Sequence, residues 1–314
     1  MNLRREDFKR TARAPAKLNL ILDLLGRRDD GFHELETLMV PLRLADTLTF
    51  NLLRHAESGK AAPIQLDVRM WDRLPRSATQ TAIPSGPDNL VVHALELLRQ
   101  RSGCELGARV VLDKRIPAAA GLGGGSSDAA AALRLANIGW QLDWSVERLT
   151  ELAAEIGSDV PFFVRGGAAI CRGRGELVEQ LPAMPSVNVV IVKPPVDLST
   201  GEVYHEYDAQ SAKSTTRTAS RDTIRHIFVG AALGSRLEIW RSMRNSLQNT
   251  ASSLSPWVDR LRMVFDELGF LGHQLCGSGS AYFGVCRHAQ HARRLANILR
   301  MRQLGLVYAT RSCQ

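Results

Sequence analysis

The chain has 314 residues, a length that suggests two domains, and its 45% hydrophobic and 23% charged residues exclude a disordered chain. The net charge of +8 is carried by 34 Arg and 6 Lys spread along the whole length, without the like-charge block of a nucleic-acid-binding arm. That pattern reads as a solvated surface attractive to anionic small molecules. No apolar run approaches the roughly 18 residues of a membrane span, and the opening MNLRREDFKR lacks an apolar leader core. Cys104, Cys171, Cys276, Cys286 and Cys313 are widely spaced with no CxxC pair, so neither a zinc site nor a disulfide framework is suggested. The expectation is a cytoplasmic protein with neither membrane nor nucleic acid as partner.

In chain order, an irregular basic stretch precedes Ala16 to Leu25, read as a buried strand, and Leu42 to Leu53 reads as another. Residues 56–87 are rich in Pro, Ser, Thr and Ala, with a strand at Ile64 to Val68. Asp88 and Asn89 offer N-cap side chains to a helix over Leu90–Arg101. Ala108–Leu112 leads as a strand into Gly121–Gly125, and Ser126 and Ser127 then open an alanine-rich helix. Val146 to Ile156 reads as a helix stopped by Gly157. Asp159 follows in a tight segment where Pro161 biases Val160 away from helix. Ala168–Ile170 and Leu177–Leu181 read as a hairpin around Gly173-Arg174-Gly175.

The second half opens with the strand Val187–Val192, and residues 209–222 read as a polar, mobile loop. Helices are expected around 236–249 and 256–268, then a strand leading to Cys276-Gly277-Ser278-Gly279-Ser280. The strand Ala281–Cys286, the helix Ala289–Met301 and a short last strand complete the chain. Strands and helices mix without regular βαβ alternation, so the class is α+β.

Pro117-Ala118-Ala119-Ala120-Gly121-Leu122-Gly123-Gly124-Gly125-Ser126-Ser127 carries the most chemistry. Its glycines let the backbone approach a ligand with no Cβ in the way, and the unpaired amides of the following helix terminus suit an anion. A triphosphate is the obvious guest. The Walker pattern fails because Ser126 stands where it needs Lys, and G-x-G-x-x-G from Gly121 fails at the same residue.

Together with Ala14-Pro15-Ala16-Lys17-Leu18-Asn19-Leu20 and the late turn Gly277-Ser278-Gly279-Ser280-Ala281, this loop resembles the signature segments of the GHMP kinase superfamily. Asp29-Asp30-Gly31-Phe32-His33-Glu34-Leu35 and Ile156-Gly157-Ser158-Asp159-Val160-Pro161-Phe162-Phe163 resemble the branch that acts on a cytidyl-capped methylerythritol in the non-mevalonate isoprenoid pathway. The resemblance implies two α+β lobes, 1–183 for ATP binding and 184–314 for the C-terminal kinase domain, with nucleotide and substrate in the cleft between them. It implies ATP-dependent phosphorylation of the C2 hydroxyl, with ATP as co-substrate and Mg²⁺ accompanying it.

The resemblance also assigns roles. Asp159 becomes the base and Lys17 its partner, although alone the first reads as a turn aspartate and the second as a solvated strand lysine. Asn19 shares the facing of Lys17, since i and i+2 lie on one side of a strand. Phe32 and Tyr204 would stack on cytosine, His33 would read its edge, and Thr200 would line the same pocket. Asn89 and Lys114 would border the adenine, with Pro117 to Ser127 around the phosphates. Two departures stand out: Phe32 replaces the usual Tyr, and Asn245-Ser246-Leu247-Gln248 lacks the usual acidic residue behind the site. No carboxylate is evidently dedicated to Mg²⁺, so its ligands stay open. A superfamily kinase for another alcohol and a silent nucleotide sensor are the competing readings.

Overall fold

The computed structural model describes residues 8–54, 61–70, 83–182, 184–211, 224 and 237–313. The first half runs β1 (Lys9–Arg27), β2 (His33–Leu53), β3 (Ile64–Met70), α1 (Leu90–Ser102), β4 (Gly107–Lys114), α2 (Gly124–Gly139), α3 (Val146–Ile156), α4 (Val160–Arg165), β5 (Ala169–Gly173) and β6 (Leu177–Gln180). The second half continues with β7 (Asn188–Lys193), α5 (Thr200–Ser211), α6 (Leu237–Arg241), β8 (Arg244–Asn245), α7 (Gln248–Leu254), α8 (Pro256–Glu267), β9 (Gly272–Leu275), β10 (Tyr282–Cys286), α9 (Ala289–Met301) and β11 (Leu306–Arg311).

Two sheets organise these elements. The first has the order β3-β4-β2-β1-β8, with β5 joining β2 and β6 joining β5, and the second has the order β11-β7-β10-β9. Strand periodicity explains how they pack. On β7, Val189 and Ile191 face a cluster shared with Leu18, Leu20 and Leu38 of the first sheet. The alternate residues Val190 and Val192 face Val258, Leu261, Phe265 and Leu295 on the helices behind. On its other side the first sheet packs Leu48, Phe50 and Leu112 against the alanine face of α2.

The α+β expectation holds, and several boundaries move. The stretch before Ala16 is strand from Lys9, paired from Lys9↔Asn51 onward. Strand β2 begins at His33 rather than Leu42 because its polar residues find partners: Glu36 takes Arg172 at 2.8 Å, and the Thr37 hydroxyl donates to the Ile21 carbonyl at 2.7 Å. Val160 starts α4 instead of avoiding helix, since Pro161 falls in the first turn, where its missing N–H is harmless. The helix expected over 236–249 is broken by β8, whose Arg244 is drawn to Asp23 of β1 at 2.7 Å. Residues 209–211, read as loop, belong to α5, while 212–222 lie outside the described residues.

Candidate active site

A cleft of about 820 Å³ opens among β1, β2, the loop before α2, α5 and the turn at Gly277-Ser278. Lys17, Asn19, Phe32, His33, Asn89, Lys114, Pro117 to Ser126, Asp159, Thr200 and Tyr204 all line it. Ser127 does not; it is buried one residue deeper in α2, and its Oγ has no hydrogen-bond partner among the described residues.

Lys17 sits where the β1–β2 register shifts, and its backbone N–H donates to the Leu122 carbonyl at 2.9 Å, tying the strand to the glycine-rich loop. Its Nζ donates to Asn19 Oδ1 at 2.6 Å and lies 3.5 Å from Asp159 Oδ2. Asn19 is oriented for this by donating its amide to Thr37 Oγ1 at 2.8 Å. Asp159 occupies the cap position of α4 but makes no capping bond, so its carboxylate, 29% exposed, faces the cleft. The pair thus sets an ammonium and an accessible carboxylate side by side at the cleft floor.

The loop is held by close backbone approaches. Gly121 and Gly123 have φ of +71° and +69°, a left-handed conformation that glycine adopts without strain. A Cβ on Gly121 would lie 1.8 Å from the Cys276 carbonyl oxygen, and one on Gly277 would lie 3.4 Å from Lys17 Nζ. The two glycine turns therefore interlock beside the Lys17 ammonium. Gly123 is the N-cap residue of α2, so the first amides of that 16-residue helix open toward the cleft with the positive end of its dipole.

Lys114 is buried between Asp46 and Asp128, bonded to both carboxylates, the second at 2.7 Å. Burial opposes its charge, but Asp128 and Asp46 outweigh that and raise its pKa. Burial pushes the Asp128 carboxyl up to about 8 despite the Lys114 charge. Asn89 lines the cleft while its side chain caps α1, accepting from the Val91 N–H at 2.9 Å and donating to the Pro84 carbonyl at 2.7 Å.

At the other end of the cleft His33, 8% exposed, stands beside Tyr204 with ring centroids 5.0 Å apart. Burial, with Asp159 adding to it, pushes the Tyr204 phenol well up. Phe32 is 48% exposed with the Arg174 guanidinium 5.0 Å from its ring centre. Thr200 Oγ1 shares a 2.9 Å hydrogen bond with Ser278 Oγ. Asn245 donates to the Gly277 carbonyl at 2.7 Å, and Gln248 Oε1 accepts from the Leu275 N–H at 2.9 Å. The stretch without its acidic residue therefore braces the second glycine turn with amides.

Sequence reasoning missed Asp208, whose Oδ1 is 2.6 Å from His33 Nε2, together with Arg174 and the carboxylates around Lys114. Asp208 lies four residues beyond Tyr204, a helical spacing that would have put both on one face had α5 been recognised.

The GHMP kinases N terminal domain pattern matches residues 89–167, and the GHMP kinases C terminal pattern matches residues 230–302. The 4-diphosphocytidyl-2-C-methyl-D-erythritol kinase of Pelotomaculum thermopropionicum is 40% identical over 286 residues, 91% of this chain and 92% of that protein. The chain belongs to this kinase family. The Exiguobacterium sibiricum member is 36% identical over 288 residues, 92% of this chain and 93% of its own. A crystal structure of 4-(cytidine 5'-diphospho)-2C-methyl-D-erythritol kinase matches with a TM-score of 0.74 at 33% identity, covering 97% of this chain and 100% of that one. Mevalonate kinase of L. major, solved with R-mevalonate, matches with a TM-score of 0.75 at 11% identity over 99% and 98% of the two chains, and shares the fold.

Proposed function

We infer that this protein transfers the γ-phosphoryl group of ATP to the C2 hydroxyl of 4-diphosphocytidyl-2-C-methyl-D-erythritol, giving the 2-phosphate in the non-mevalonate route to isoprenoid precursors. The observation that carries the reading is the Lys17–Asp159 pair, 3.5 Å apart and facing one cleft with the glycine-rich loop and the His33–Tyr204 group. A silent nucleotide sensor would have no use for that pair.

The residues suggest the following division of labour. The amides at the start of α2 bind the triphosphate, and the glycines let it approach the backbone. His33, Tyr204 and Phe32 hold the cytidine, which brings the C2 hydroxyl to Asp159. Asp159 accepts the hydroxyl proton as the oxygen attacks phosphorus, while the Lys17 ammonium stabilises charge on that oxygen and the transferred group. Asn19 keeps the ammonium aimed by accepting a hydrogen bond from it at Oδ1. Positioning supplies much of the rate in phosphoryl transfer, because the transition state is loose.

Mg²⁺ would travel with the nucleotide. Asp46 and Asp128 are turned onto Lys114, and no group of three or more His, Cys, Asp or Glu side chains among the described residues could hold an ion. Magnesium retains waters and leans on phosphates, so such a donor set is compatible with it. The same reading divides the chain at residue 183, which lies outside the described residues, between β6 and β7. Cytoplasmic placement fits the five free thiols and the absence, among the described residues, of any helix long and apolar enough to cross a membrane.

The test is ATP consumption with cytidyl, mevalonyl, homoseryl and sugar alcohols side by side. Turnover on the cytidyl substrate, with a new phosphomonoester at C2 by ³¹P NMR, is expected. Preference for any other alcohol would overturn the assignment.

A further inference from the structure

His33 and Asp208 are 175 residues apart in the chain, yet their side chains meet at 2.6 Å beside the cleft. His33 opens β2, where it pairs with Arg27 across the turn from β1. Its ring is fenced by Tyr204 at 5.0 Å and by Tyr207, edge-on, at 5.9 Å. Asp208 is anchored in turn, because its other carboxylate oxygen lies 3.6 Å from Arg27 Nη1. The ring is held on three sides, and among the described residues its polar anchor is the carboxylate.

The chemistry of that anchor decides where the ring proton sits. A carboxylate oxygen only accepts, so Nε2 must carry the hydrogen, and in the neutral ring Nδ1 is left as a bare acceptor. Cytosine presents an exocyclic amino group that donates to such an acceptor. Uracil presents a carbonyl at the same position, and two acceptors facing each other leave both unpaired.

We propose that Asp208 is a positioning residue that fixes His33 as its Nε2–H tautomer and thereby makes the ring select a cytosine edge over a uracil edge. The proposal rests on the cytidyl substrate assigned above. Asp208 acts through the imidazole it holds, although it too lines the cleft. Without it the proton is free to sit on either nitrogen, and the ring accommodates either base.

Two measurements test this. The first is the ratio of kcat/KM for the cytidyl substrate to that for its uridyl analogue. The ratio should fall by about tenfold or more in Asp208→Ala. It should stay within about threefold of wild type in Asp208→Asn, whose amide oxygen still accepts from Nε2–H. The second is ¹⁵N NMR of histidine-labelled protein without substrate, with His33 assigned by the signals lost in His33→Ala. Wild type and Asp208→Asn should show a protonated Nε2 and a bare Nδ1, and Asp208→Ala a mixture. Thermal melts confirm that each variant is folded, and Asp208→Asn carries the test alone if Asp208→Ala is not. An active Asp208→Ala with the wild-type ratio and an unmixed tautomer overturns this proposal while leaving the kinase assignment intact. The same holds for an Asp208→Asn that loses discrimination. A wild-type enzyme inactive on the cytidyl substrate sinks the substrate reading and this proposal with it, whatever the NMR shows.

Discussion

Asp159 and Lys17, the proposed base and its partner, differ in exposure: the carboxylate is partly open to the cleft, whereas the ammonium is buried and held by Asn19. Asp159→Asn keeps the shape but cannot take a proton. We expect kcat to fall by about 10²–10⁴ with ATP affinity little changed, read by steady-state kinetics and calorimetry. Near-normal turnover would leave Asp159 a positioning role only. Asp128 offers a second prediction, on stability. Its carboxyl is pushed up to about 8, chiefly by burial, so the folded state binds that proton more tightly than the unfolded chain does. Its contribution is therefore fully present below the ordinary carboxylate range and is lost as pH rises toward 8. Asp128→Asn carries no such proton, so the decline of Tm between about pH 5 and pH 8 should be shallower than in wild type. Parallel declines in both proteins, followed by circular dichroism, would count against the burial argument.

Elements were legible in the sequence wherever local rules were strong. Helices α3 and α9 begin and end where the sequence pattern puts them, each with a side-chain cap, Ser145 for Arg148 N–H and His288 for His291 N–H. Helix α5 escaped because Val203 is its one buried hydrophobic residue, so it shows no apolar stripe to read. The start of β2 escaped because Glu36 and Thr37 look like loop until Arg172 and the Ile21 carbonyl meet them. The candidate site divides in the same way. Lys17, Asp159 and the glycine-rich loop are carried by short motifs, whereas Asp208, Arg174 and the Asp46–Lys114–Asp128 group arise from pairings across the chain that no local spacing announces. The geometry also selects the test for the proposed binding of phosphates at the glycine-rich loop. Gly123 is left-handed and crowded, its Cβ position 3.0 Å from Lys17 Cγ and the Phe163 ring, so a larger residue there would disturb the fold itself. Gly125 has no such φ, and a Cβ would meet only Leu90 Cδ1 at 3.5 Å. Gly125→Val should leave Tm within a few degrees and raise KM for ATP about tenfold or more by crowding the amides of α2. Unchanged ATP affinity in the folded variant would place the phosphates elsewhere.

At the scale of the whole molecule, the cleft is lined by residues from both halves of the chain. Gly121 packs on Cys276, Gly277 abuts Lys17 and Asn19, and Asp208 reaches back to His33. The energetics follow the same plan. Leu18, Leu20 and Leu38 of the first sheet share one buried cluster with Val189, Ile191, Phe283 and Val285 of the second, and β8 of the second half hydrogen-bonds to β1. Neither sheet can lose its partner without exposing that cluster, at about 25 cal/mol for each Å² of apolar surface returned to water. The two halves of the chain should therefore unfold as one. Scanning calorimetry should give a single transition whose calorimetric and van't Hoff enthalpies agree, and nonhydrolysable ATP should shift it upward as one peak. The fragment 1–183, produced alone, should fail to melt cooperatively, because the face of its sheet that meets β7 and β10 would be bare. Two resolved transitions, with the nucleotide moving only the first, would show instead that the halves are energetically separate and that the shared cluster contributes little to cohesion.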